Sequence, residues 1–266
     1  MLRISRSAYY AWLSGVSTLR EDSDLLLTPV VNLIFRQHRR RYGTRRIVET
    51  LADQGQYVSR RRVAKILKNQ GLIAIQPKSF KPRGTESRHR LGYSPNLLLE
   101  AEGFESINRL WVGDITYIPV TEIRFAYLAV LMDRFSRRIV GWSLRDDLTE
   151  AVVLESIRMA IANRNPSPGL IHHSDRGGQY AAKTYRGVLR RAEINQSMSR
   201  ADNCYDNAFM ESCFGTLKNE LELDEYQNMR TATKEISQFI DYYNADRKHS
   251  SIGYLSPTQF EAKLLR

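Results

Sequence analysis

The sequence predicts an α/β protein, a mixed sheet covered by helices, preceded by an all-α region holding a helix-turn-helix. Three observations carry this. β-branched and aromatic runs follow one another between residues 109 and 146, after which helical and strand-like periods alternate. Two short capped amphipathic segments lie between residues 43 and 71. The charge is also divided, with 19 Lys+Arg against 6 Asp+Glu in residues 1–90 and 21 against 23 in residues 91–266. A basic amino-terminal third on a near-neutral body suggests a polyanion-binding module attached to something else.

In order along the chain, "LLLTPVVNLIFRQHRR" is apolar and periodic, and Pro29 predicts that a helix begins or bends there. In "RYGTRRIVETLADQG", Thr44 is placed to cap, Ile47 and Leu51 share a face, and Gly55 stops the helix. "YVSRRRVAKILKNQGL" repeats the plan, with Ser59 as cap, Val63, Ile66 and Leu67 inward, and Gly71 as stop. The pair is a helix-turn-helix candidate. Its second helix carries Arg60, Arg61, Arg62, Lys65 and Lys68, which would meet a DNA backbone or groove. The ordinary alternative is a small helical bundle with a basic surface.

Residues 75–96 are rich in Pro, Gly, Ser and charge and read as a linker whose five Lys/Arg residues could track phosphates. The period then changes. "RLWVGDITYIPV" (109–120), "FAYLAVLMD" (125–133) and "RRIVGWSLRD" (137–146) are strand-like. "LTEAVVLESIRMAIANR" is a helix with Val153, Leu154, Ile157, Ala160 and Ile161 on its apolar face, ended by "NPSPG". "LIHHSD" is a fourth strand. A helix over 179–193, a short strand at "NQSMS", a helix within 201–220 and a long helix over 231–244 complete the pattern. The resulting division is a helical region 1–74, a basic linker 75–104 and a body 105–266.

Composition excludes several classes. At 266 residues, 42% hydrophobic and 26% charged, the chain is globular. It has no run of about 18 apolar residues to span a membrane and no h-region of a secretory leader. Two cysteines make no disulfide framework, so a cytoplasmic compartment is expected.

Three carboxylates stand out. Asp114 lies in a run too apolar for an edge strand, so it should be protonated, paired or bound to a cation. Asp175 ends the fourth strand before an "RGG" turn, where functional groups of such sheets emerge. Glu211 sits in "ADNCYDNAFMESCFGTLKNE", beside an apolar stripe of Met210, Phe214, Leu217 and Leu221. Each alone has an ordinary reading as a solvated or turn-forming acid. Together they are three hard oxygen donors of the type Mg²⁺ or Mn²⁺ takes, suited to two-metal phosphoryl transfer. Asn207 and Lys218 share the Glu211 face and are candidates for holding DNA.

The spacing leads to a family. Sixty residues separate Asp114 from Asp175 and 35 separate Asp175 from Glu211. This resembles the D,D(35)E pattern of retroviral integrases and related bacterial transposases. "WVGDITYI", "HHSDRGGQY", "NCYDNAFMESCFGTLKNE" and "YYNADRKHSSIGYLSP" are similar to the second-frame transposase (OrfB) of insertion sequences of the "three" family. "ISRSAYYAWL" and the two-helix stretch from Arg41 to Leu72 resemble its upstream region. The likeness runs in order along nearly the whole chain.

The resemblance implies a ribonuclease-H-like core with a five-stranded mixed sheet flanked by helices. It implies that Asp114, Asp175 and Glu211 are catalytic residues and ligands of two Mg²⁺ or Mn²⁺ ions, with Lys218 contacting DNA. It further implies double-stranded DNA as partner, both element ends and target, and cutting and joining without a covalent enzyme intermediate. A leading-frame (OrfA) product, separate or fused, would supply end recognition, and several copies would synapse two ends at the nucleoid. Phe209, Cys213 and Ile252 depart from the usual Pro, Phe and Leu, all apolar changes.

Cys204 and Cys213, with eight residues between them, fall outside structural zinc spacings, and Cys213 reads as a small buried hydrophobe. His172 and His173 should point to opposite faces of their strand, one of them able to touch DNA, or both structural. Tyr242, Tyr243, Asn244, Arg247 and His249 either pack on the core or contact DNA, and Arg247 is a candidate contact. A DNA-binding regulator with an inert core would leave three spaced carboxylates unexplained. The spacing also argues against a ribonuclease H or Holliday-junction nuclease.

Overall fold

The computed structural model describes residues 5–13, 19–76, 92–99, 104–200, 208–221 and 225–265. The chain divides into two compact units, Met1–Gln76 and Pro77–Arg266.

The first unit contains helices α1 (Arg6–Leu13), α2 (Leu19–Gln37), α3 (Thr44–Asp53) and α4 (Arg60–Asn69). Leu27, Val31, Ile34 and Phe35 of α2 bury against Ile47 and Leu51 of α3 and Val63, Ile66 and Leu67 of α4, forming one apolar core. α2 does not begin at Pro29, which lies inside it. Packing of the α2 face outweighs the one lost N–H bond. The cap of α3 also differs from expectation. Gly43 occupies the cap position without a side-chain bond, and Thr44 is the first helical residue. Ser59 caps α4, accepting from the Arg62 amide. Gly55 (φ 76°) and Gly71 (φ 64°) follow the two helices in the left-handed region.

The second unit is built on a sheet of β1 (Leu110–Val120), β2 (Arg124–Asp133), β3 (Ile139–Arg145), β4 (Ile171–Ser174) and β5 (Asn195–Met198). Among the described residues the order is β3-β2-β1-β4-β5. The first three strands are antiparallel, and β1, β4 and β5 run parallel. α5 (Glu150–Arg164) crosses from β3 to β4, and α6 (Gly178–Ala181) and α7 (Lys183–Arg191) lead from β4 to β5. The stretch read as one helix over 179–193 is therefore two, divided at Ala182, whose φ −59° and ψ 141° are extended.

Strand alternation sorts the side chains into two cores. Trp111, Ile115, Ala129 and Leu131 pack with α5, α6 and α7 on one face. Leu110, Val112, Ile118, Leu128 and Val130 pack on the other with α8 (Ala208–Glu220) and α9 (Met229–Ala245). α10 (Pro257–Leu264) opens with a Ser256–Gln259 capping box. Its buried Glu261 accepts two bonds from Arg164 (2.8 Å each) and one from Arg138 (2.7 Å), pinning α10 to the end of α5 and the β2–β3 turn.

Part of the stretch read as linker belongs to this unit. The Ser94 hydroxyl donates to Gln196 (2.8 Å), the Leu97 amide to the Ser197 hydroxyl (3.0 Å) and the Met198 amide to the Pro95 carbonyl (3.3 Å). β5 ends the strand order and leaves backbone and hydroxyl groups to be satisfied, and this segment satisfies them.

Candidate active site

Asp114 sits in the middle of the central strand. β1 pairs with β4 only through Leu110↔Ile171, Trp111↔His172 and Val112↔His173. Carried forward two residues, the same offset sets Asp114 level with Asp175, just past the end of β4. Alternation puts Asp114 on the side of Leu110 and Val112, the face that α8 covers. The strands part there, so the two carboxylates stand where the ladder has ended. Asp114 Oδ1 accepts from the Ile115 amide (2.8 Å), and Asp175 Oδ1 accepts from the Gly177 amide (2.9 Å). A Cβ at position 177 would stand 3.0 Å from that Asp175 oxygen, so a larger residue there would press on the carboxylate.

α8 brings the third acid. Met210, Cys213, Phe214 and Leu217 are buried against the sheet, and Leu221 packs at the edge. Glu211, in the first turn, is exposed, and Lys218, two turns on, is half-buried. Asn207 lies outside the described residues, as does Cys204. Among the described residues, no three His, Cys, Asp or Glu side chains form a cluster ready to hold a metal ion.

The electrostatics nonetheless link these groups. Burial pushes the Asp114 carboxyl up to about 8; the Asp175 carboxylate adds to this and Glu211 adds less, while the Ile115 amide and Lys218 oppose. Burial lowers the Lys218 ammonium, and Asp114 opposes that shift. The Tyr180 hydroxyl is held protonated by burial first, then by Asp114 and, less, Asp175. The sheet thus gathers negative charge at one place and sets one cation beside it.

Sequence reasoning missed how α8 is held. The Phe209 ring, two residues before Glu211, lies under two guanidinium groups. Arg134 Cζ stands 4.8 Å and Arg137 Cζ 4.4 Å from its centroid. Both arginines come from the β2–β3 turn, which Asp133 organises by accepting from the amides of Asn108 (2.6 Å), Phe135 (3.0 Å) and Ser136 (2.9 Å). The only sequence signal was "DRFSRR", an arginine-rich turn after an apolar strand.

Arg247 corrects an expectation. It is 5% exposed and donates twice to Glu220, at 2.9 and 2.7 Å, so it ties the end of α8 to the end of α9 rather than facing DNA. Both histidines are also interior. His172 Nε2 is hydrogen-bonded to the Tyr185 hydroxyl (2.7 Å), and His173 to Ser197 (2.8 Å) and Ser199 (3.1 Å). In the helical unit, Arg60, Arg61, Lys65 and Lys68 are exposed. Arg62 is half-buried, pairing with Asp24 and donating to Ser23 (2.6 Å), so it binds α4 to α2.

The chain matches the family profile "Integrase core domain" over residues 105–204, a second profile of that description over 192–257, and "HTH-like domain" over 21–80. It is 38% identical to a 31 kDa protein of insertion element IS600 from Shigella sonnei, over 98% of this chain and 96% of that protein. It is 39% identical to the transposase for insertion sequence element IS904 from Lactococcus lactis, over 89% and 93%. It is 36% identical to transposase InsF for insertion sequence IS3A from Escherichia coli, over 100% and 93%. A simian T-cell lymphotropic virus intasome, solved with the PP2A regulatory subunit B56 gamma, has a similar fold. Its TM-score is 0.50 at 18% identity, covering 80% of this chain and 70% of that one. The chain therefore belongs to the insertion-sequence transposases of the IS3 family, with an integrase core of ribonuclease-H-like fold behind a helix-turn-helix-like region.

Proposed function

We propose that this transposase cuts the ends of its element and joins them to target DNA at Asp114, Asp175 and Glu211. The observation that carries the reading is the common level of Asp114 and Asp175 beneath α8, with Asp175 and Glu211 both acting on the Asp114 proton. The donor set is all oxygen and carries excess negative charge, which fits hard divalent cations. Two Mg²⁺ or Mn²⁺ ions, when bound, would activate the attacking hydroxyl and neutralise charge on the leaving oxygen.

The chain's own residues do the rest. Asp114 and Asp175 present oxygens from the rigid centre of the sheet, and Glu211 completes the set from α8. Lys218 offers a cation to a phosphate at the same place, and Asn207 would do so from the preceding turn. In the first step water attacks a phosphodiester, a new P–O bond forms, and the 3′-oxygen leaves as a hydroxyl. In the second step that hydroxyl attacks a target phosphodiester and displaces another 3′-oxygen. Atoms balance in both, and no enzyme–DNA bond is needed.

Residues 1–74 would dock on DNA through Arg60, Arg61, Lys65 and Lys68, with 75–104 connecting to the catalytic body 105–266. Synapsis of two ends implies several protomers, and a leading-frame product would add end specificity. The setting is the cytoplasm, at the nucleoid. Among the described residues no helix is long and apolar enough to cross a membrane.

The test is incubation of the full chain, alone and with its leading-frame partner, with labelled element ends and Mg²⁺ or Mn²⁺. Nicked and strand-transferred products are expected. Binding without cleavage under every condition would instead favour a regulator.

A further inference from the structure

α7 carries four cationic side chains, Lys183, Arg186, Arg190 and Arg191, and no acidic one. Tyr185, Val188 and Leu189 take its buried side, which leaves the charge on the other. Lys183, Arg190 and Arg191 are exposed and Arg186 is half-buried. Beside the helix, a recess of about 460 Å³ opens at the starts of β4 and β5. Its polar lining is Arg186, Arg190, Asn195 and Gln196, with Glu193 as the one acid.

The donors there are unequally used. Gln196 is committed, donating to the Tyr180 carbonyl (2.7 Å) and accepting from Ser94. Arg186 is fixed by one bond from Nη2 to the Gly92 carbonyl (2.7 Å), while its enclosed Nε has no hydrogen-bond partner among the described residues. That N–H is closed off, so an oxyanion in the recess would be met by the terminal guanidinium nitrogens. A fixed arginine with spare donors beside a second arginine suits an oxyanion such as a phosphodiester.

We propose that this face is a second docking surface for the DNA backbone, with a phosphodiester seated in the recess and Lys183, Arg190 and Arg191 meeting its neighbours. Lys183 and Arg190 are seven residues apart on α7, about 10 Å, which matches about three base-pair steps along the axis of B-DNA. The recess is separate from the carboxylates. It lies at the starts of β4 and β5, whereas Asp175 follows the end of β4, about 13 Å along the strand direction. The phosphodiester seated there is thus not the one being cut. The inference rests on the chain's working on DNA, not on the carboxylate assignment.

The test measures binding of the full chain to a random-sequence duplex of about 30 base pairs across a salt series, by fluorescence anisotropy. The Lys183→Ala/Arg190→Ala/Arg191→Ala variant should bind about tenfold more weakly, its slope of log K against log salt shallower by about 2–3. Arg186→Lys keeps the charge but loses the fixed fork, and should weaken binding several-fold. A control set of exposed charges on α9 and α10, Arg230→Ala/Lys234→Ala/Lys263→Ala, should leave the slope close to wild type. Melting curves check that each variant is folded. Wild-type binding by the triple variant or by Arg186→Lys overturns the proposal, as does an equal loss in the control set. Asp114→Asn is assayed separately, for cleavage of labelled element ends. If that variant still cleaved DNA, the carboxylate reading would fall and this surface would stand.

Discussion

Asp114 on β1 stands level with Asp175 just past the end of the neighbouring parallel strand β4, brought there by a three-pair ladder that ends two residues before them. A buried carboxyl beside a second acid holds its proton, and Asp114 is pushed up to about 8 by burial first and Asp175 next. Its folded value lies above its unfolded one. The stability it contributes is therefore fully present below about pH 4 and is lost as pH rises through about 8. Asp114→Asn removes that loss. In EDTA at pH 8 the variant should be more stable than wild type by about 1–3 kcal/mol, with no difference at pH 4. Urea denaturation at the two pH values decides it, and a less stable variant at pH 8 would sink the argument. Added Mg²⁺ should raise the melting temperature of wild type and not of the variant.

His172 predicts the opposite pH trend. Burial first, then His173, lowers its imidazole to about 3. The unfolded chain takes up a proton near pH 6.5 that the folded chain refuses. Stability from this group is present above pH 6.5 and is lost as pH falls, by about 1.4 kcal/mol per unit until pH 3 is approached. Replacing it by Gln should flatten the pH dependence of unfolding between pH 6 and pH 4. An unchanged slope would mean that His172 is protonated in the fold.

Phe209 governs the start of α8. With Arg134 and Arg137 both within 5 Å of its ring, truncation releases the turn that carries Glu211. Phe209→Ala should slow DNA cleavage about tenfold or more, while melting shifts by only a few degrees. Phe209→Tyr should keep the rate. Full activity of the Ala variant in a single-turnover assay would show that the clamp does not position the acid.

Glu220 and Arg247 form the tie at the other end of α8, each under a tenth exposed. Arg247→Ala takes two charge-assisted bonds from a buried carboxylate and should cost about 3–5 kcal/mol. Replacing both residues by apolar side chains of similar volume should recover most of that. Chemical denaturation of the single and double variants measures the coupling, and a double variant no better than the single would contradict it.

The sequence made the strands legible because three apolar runs and their turns are local signals. β1, β2 and β3 begin and end within two residues of the stretches read for them. The helix from Lys183 was merged with α6 because Gln179–Tyr180–Ala181–Ala182 offers no Gly or Pro to mark the break. At Pro29 the helix continues instead of beginning, since burial of the α2 face overrides a local breaker. The three acids were found by spacing and by resemblance. What brings Asp114 and Asp175 level is a register between strands some sixty residues apart, which no local pattern encodes. Arg247 was misplaced for the same reason. Its partner Glu220 is 27 residues away, and an arginine before a lysine and a histidine looks like a surface.

The most direct measurement is single-turnover cleavage and strand transfer on labelled element ends with Mg²⁺ or Mn²⁺. It compares wild type with Asp114→Asn, Asp175→Asn and Glu211→Gln, each first shown to bind the ends and to melt cooperatively. Each substitution should reduce both steps by about a thousandfold or more. Near-wild-type products from any one of the three would contradict its place in the catalytic set.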